Sequence, residues 1–163
     1  MEEINKKQMY YLLISTIFHQ SQNTNTTLQN SLKLVEELEK KNYICTEREL
    51  TDLFYKQGIK HRFPNKMIDY LDSTFDTLKY DFKDINNVFQ VTNFIELKNN
   101  LLKFKGKEIL NGMSVARGFA VLYNYCKNVE FAKKWYMDNK GIIGTKITLD
   151  EVEKLFLFGQ IVE

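Results

Sequence analysis

The chain has 163 residues, enough for one domain with a sizeable core, and its hydrophobic (44%) and charged (27%) fractions are those of a globular protein. Its 23 basic and 21 acidic residues leave a net charge of +2, which gives no strong electrostatic case for nucleic acid or an anionic membrane. Two cysteines, Cys45 and Cys126, are too few for a disulfide framework and lack metal-ligand spacing, so a reducing compartment is expected.

The N-terminal stretch MEEINKKQMYYLLISTIFHQ has a short apolar core and no small-residue cleavage site, so it does not read as a signal peptide. No run of about 18 apolar residues occurs, and no transmembrane anchor is expected. One proline, seven glycines and the absence of alternating patterns predict an all-α fold, about seven helices around a central hydrophobic one, forming a single domain over 1–163.

A first helix is expected over Asn5–Gln20, with Met9, Leu12, Leu13, Ile17 and Phe18 on its buried stripe. SQNTNTT (21–27) reads as a polar loop, because Ser, Asn and Thr compete with helical hydrogen bonds. Leu28, Leu32, Val35 and Leu38 then mark a second helix. Thr46-x-x-Glu49 has the form of a capping box, Gly58 ends the short helix that follows, and Pro64 suits the first turn of the next. That helix carries Met67, Leu71, Leu78, Phe82, Ile85 and Phe89 on one stripe, with a bend near Tyr80.

Thr92 or Asn93 is expected to cap another helix, buried through Phe94, Leu97, Leu101 and Phe104. After a break at KGKEILNG comes GMSVARGFAVLYNY (112–125), apolar nearly all round and therefore read as the central helix. Arg117 lies inside it, and a guanidinium that cannot lose its charge requires a partner or water. NVEFAKKWYMDN, the turn KGIIG and a last helix behind Thr148-x-x-Glu151 complete the chain.

No phosphate-binding glycine loop, nucleophile elbow or H-E-x-x-H motif is present, so neither enzymatic activity, nor a cofactor, nor a metal is expected. His19 and His61 lack metal-type spacing and read as structural or surface residues, and Cys126 as a packed thiol. The basic cluster KHRFPNK (60–66) reads as a solvated turn.

Three segments carry a resemblance. TFDTLKYDFKDINNVFQVTNF (74–94) is similar to the helix-2 to helix-4 segment of the Bcl-2 family, with Asp81, Phe82, Ile85, Phe89, Val91, Thr92 and Phe94 in register. SVARGFAVL (114–122) resembles that family's N-W-G-R motif, Arg117 taking the arginine place and Ser114 the asparagine place. WYMDNKGI (135–142) resembles its W-I-x-D-N-G-G-W motif through Trp135, Asp138, Asn139 and Gly141. Thr74 and Leu78 replace the first segment's leading aromatic and tyrosine, and Val115 and Ala116 replace the Trp and Gly of N-W-G-R. Trp135 follows Arg117 by 18 positions, a shorter spacing than the family's. Without the membrane tail of many members, the chain resembles the soluble members found in large DNA viruses.

The resemblance implies a cytoplasmic inhibitor of apoptosis, brought to mitochondria through its partners and able to homodimerise. It would hold the amphipathic BH-3 helices of pro-apoptotic Bcl-2 proteins in a hydrophobic groove. Leu78, Phe82 and Ile85 would form one wall, Leu101 and Phe104 the other, and Phe119 and Ala120 the floor. Arg117, beside Ser114, would pair with the ligand's aspartate. The residue pattern alone equally allows Arg117 an internal bridge or a snorkelling position at the helix edge. Two alternatives stand beside this reading: the same fold blocking innate immune or NF-kappa-B signalling through another surface, and a helical DNA-binding protein.

Overall fold

The computed structural model describes residues 5–18, 24–89 and 94–105, together with the single positions 134 and 137. Six α-helices run through these residues: α1 (Lys6–Phe18), α2 (Thr24–Lys40), α3 (Glu47–Tyr55), α4 (Pro64–Thr77), α5 (Asn86–Phe89) and α6 (Phe94–Leu101). A π-helical turn, Leu78–Phe82, continues α4. Among the described residues there is no strand, as the scarcity of breakers and of alternating patterns predicts.

α1 is set by a cap that the sequence spells as Asn5-x-x-Gln8. The Asn5 N–H donates to Gln8 Oε1 and the Gln8 N–H donates to Asn5 Oδ1, both at 2.8 Å, so two orphan donors are satisfied reciprocally. The expected stripe of Met9, Leu12, Leu13, Ile17 and Phe18 is buried. So are Gln8, Tyr10, Tyr11, Ile14 and Ser15, which leaves almost no solvated face. α1 packs against α2, α4 and α5 and is the central helix of the described part. Each of its large apolar side chains contributes about 1.5–3 kcal/mol on burial. The helix expected over 112–125 lies outside the described residues.

α2 begins at Thr24, inside the segment read as a loop. A helix N-terminus accepts Thr and Asn readily, because its first N–H groups have no intrahelical partners. Leu28, Leu34, Val35 and Leu38 are buried and Leu32 is half-buried.

The capping box at α3 forms as expected. The Glu49 N–H donates to Thr46 Oγ1 and the Thr46 N–H donates to Glu49 Oε1, both at 3.2 Å. Lys41 adds an ion pair to Glu49 at 3.1 Å. That pair and the Thr46 bonds hold the Glu49 carboxyl below the usual range. Past the end of α3, Gly58 takes φ +81° and lets the Ile59 N–H turn back to Leu53 O at 3.1 Å.

Pro64 sits in the first turn of α4. The long stripe is buried throughout, at Met67, Leu71, Leu78, Phe82, Ile85 and Phe89. It is not one bent helix, however. The π-turn ends at Lys83, whose φ of 70° and ψ of −36° break the helix before α5 starts. No Gly or Pro lies between 64 and 89 to announce the break beyond Pro64 itself.

His61 fastens the α3–α4 loop to α1. Its Nδ1 accepts the Phe63 N–H at 2.9 Å, so Nε2 carries the hydrogen and donates to Phe18 O at 2.8 Å. Phe18 is the last residue of α1, and its carbonyl is one of the orphan acceptors of a helix end. His61 is therefore structural, as its sequence context suggests. His19, Cys126 and the capping boxes at Asn93 and Thr148 lie outside the described residues.

Candidate functional site

The residues carried over as groove walls come from the π-turn and its exit on one side and from α6 and the turn after it on the other. Leu78 and Phe82 sit at the two ends of the π-turn, and Ile85 follows two residues after its break. Leu101 closes α6, and Phe104 lies in the turn beyond. All five are buried in the single core cluster. The rings of Phe82 and Phe104 stack at 5.5 Å between centroids, with 9° between their planes. Lys103 lies with its ammonium 5.3 Å from the Phe82 centroid.

Polar bonds fix this juxtaposition. Asn87 Nδ2 donates to Phe82 O at 2.7 Å, and Asn100 Nδ2 donates to Val88 O at 3.1 Å, which ties α6 to α5. Lys105 reaches back to Asp69 of α4 with a 2.6 Å ion pair. The two segments are thus held in contact at Phe82 and Phe104. Ser114, Arg117, Phe119 and Ala120 lie outside the described residues.

Leu78 and Ile85 also face a second feature that the periodicity did not announce, a cavity of about 440 Å³. It opens between the start of α1, the α2–α3 turn and the π-turn. Tyr10 and Tyr43 stack beside it at 4.3 Å and 10°, with the Lys6 ammonium 5.1 Å from the Tyr43 centroid. Burial, the Asp84 carboxylate and Tyr43 together push the Tyr10 hydroxyl up to about 12. Burial likewise pushes the Cys45 thiol up to about 11, so the thiol is neutral and not a ready nucleophile. Asn42, at φ 54°, carried the one sequence signal for this tight turn, since Asn tolerates the left-handed region.

Among the described residues, no group of three His, Cys, Asp or Glu side chains comes together as a metal site. No helix among them is long and apolar enough to cross a membrane. No family model, curated protein or solved structure matches this chain.

Proposed function

We propose that the chain is a Bcl-2-like inhibitor of apoptosis that sequesters the BH-3 helices of pro-apoptotic proteins. The ligand's apolar anchors enter between the wall of Leu78, Phe82 and Ile85 and the wall of Leu101 and Phe104. Arg117 pairs with the ligand aspartate, and Ser114, Phe119 and Ala120 line the groove near it. Buried anchors supply most of the affinity, and the charge pair supplies register and selectivity. Support for this reading comes from the stack of Phe82 on Phe104, which brings together two of the segments to which the resemblance assigns groove walls. Titration of the purified protein with a panel of pro-apoptotic helical peptides tests it. Saturable binding is expected, and a panel that fails to bind overturns the reading.

The closeness of that stack also favours a second reading. Phe82 and Phe104 are 8% and 1% exposed, so a ligand must part them before its anchors enter. A Bcl-2-like protein that leaves this groove shut and blocks innate immune or NF-kappa-B signalling through an outer face needs no such opening. Peptide binding accompanied by opening of the stack supports the first reading, and refusal of every peptide supports the second.

A further inference from the structure

We infer that the cavity between α1, the α2–α3 turn and the π-turn is a binding site for a small organic anion, a carboxylate or phosphate group on a compact apolar body. It shares Leu78 and Ile85 with the proposed groove wall but does not include the Phe82–Phe104 stack, and it holds whichever reading of that stack is correct. Three observations converge on it.

The first is size and lining. A volume of about 440 Å³ suits a small molecule, and Tyr10, Phe75, Leu78 and Ile85 provide an apolar wall. Ile44, 72% exposed in spite of its apolar side chain, stands at the same cavity and extends that wall towards solvent.

The second is charge. Lys6, Lys79 and Lys83 line the cavity against Asp76 and Asp84, a formal excess of one positive charge. None of the three cavity lysines forms an ion pair among the described residues, a state they share with Lys33, Lys60, Lys66 and Lys103, so it is their convergence on one cavity that sets them apart. Lys6 and Lys79 rest over the rings of Tyr43 and Tyr80, contacts that leave their charge unneutralised. Asp84 is engaged with the backbone, accepting the Asn86 N–H at 2.8 Å.

The third is backbone strain. Among the described residues, three non-glycine residues have positive φ: Asn42, Tyr43 and Lys83, and all three line this cavity. A β-carbon is disfavoured there, and glycine would relax both Tyr43 and Lys83. Strain of this kind collects at binding sites, as do π-turns, and the π-turn supplies Leu78 and Lys79 to the same cavity. Tyr43 at this position serves the fold through its stack on Tyr10, whereas Lys83 makes no ion pair among the described residues, and a ligand at the cavity would give its side chain a role.

Lys83→Gly removes strain and an ammonium together, and the two effects are read separately, the strain in the melting temperature and the ammonium in probe binding. Phenyl phosphate and benzoate serve as probes, with benzyl alcohol and inorganic phosphate as the body without charge and the charge without body. In nitrogen-15 amide spectra, either anionic probe should shift Asn42, Tyr43, Ile44, Lys83 and Ile85 saturably. The better of the two identifies the head group. Each control should bind at least about tenfold more weakly. Lys83→Gly should weaken the better probe by about tenfold without lowering the melting temperature, and the exposed Lys79→Met should weaken it as well. No saturable shift from either anion, equal binding of either control, or unchanged binding in both variants overturns the inference.

Discussion

Phe82 and Phe104, 22 residues apart in sequence, meet ring to ring at 5.5 Å and close the space between the π-turn and the segment after α6. A near-parallel aromatic pair contributes about 0.5–1.5 kcal/mol beyond the area it buries. Phe82→Ala and Phe104→Ala are each expected to cost about 3–5 kcal/mol. The double variant should lose less than the sum of the two, by about the pair's own contribution. Urea denaturation of the four proteins measures this, and strict additivity would show that the rings do not support one another.

The cap of α3 makes a smaller and more local claim. Thr46→Ala removes the acceptor of the Glu49 N–H and should destabilise the protein by about 1 kcal/mol. Thr46→Asn should restore most of that loss, since Asn caps as well as Thr. Equal losses in both variants would place the effect somewhere other than the cap.

His61 predicts a dependence on pH. Burial, only partly offset by the bond to Phe18 O, holds its pKa below the usual histidine value in the folded state. The unfolded chain therefore takes up the proton first on acidification. The stability that neutral His61 contributes is fully present above about pH 6.5, and is lost as pH falls from there towards the folded value. Protonation also removes the lone pair that accepts the Phe63 N–H. The melting temperature should fall more between pH 7.5 and pH 5.5, both about one unit from that value, in the wild type than in His61→Gln. Parallel pH profiles would rule out His61 as the titrating group.

Much of this architecture was legible in the sequence for plain physical reasons. The Thr46 capping box, the glycine after α3 and the proline of α4 are local signals, and local backbone geometry decides them. Every residue of the Met67-to-Phe89 stripe is buried, yet the stripe missed Ile68, Thr74 and Val88, which are buried too, and it concealed the break at Lys83. Apolar spacing reports which residues face the core, and a π-turn followed by a positive φ at lysine changes the path without changing that face. α1 is the reverse case. Residues 9–14 are apolar or aromatic without interruption, which marked a helix buried on all sides, while the stripe reading used only part of them. Of the candidate groove, periodicity and resemblance identified the buried wall residues. Their stacking depends on two segments meeting in space, for which a single sequence carries no signal. The Tyr10–Tyr43 cavity was hidden for the same reason.

The central claim is that Arg117 pairs with the aspartate of a bound BH-3 helix. A double-mutant cycle by calorimetric titration tests it, combining Arg117→Ala with a peptide in which that aspartate is alanine. Either change alone should weaken binding by about tenfold or more, and the two together should weaken it little further, because the second removes a partner already lost. Losses that simply add, or an Arg117→Ala protein that binds the unmodified peptide as the wild type does, would contradict the account.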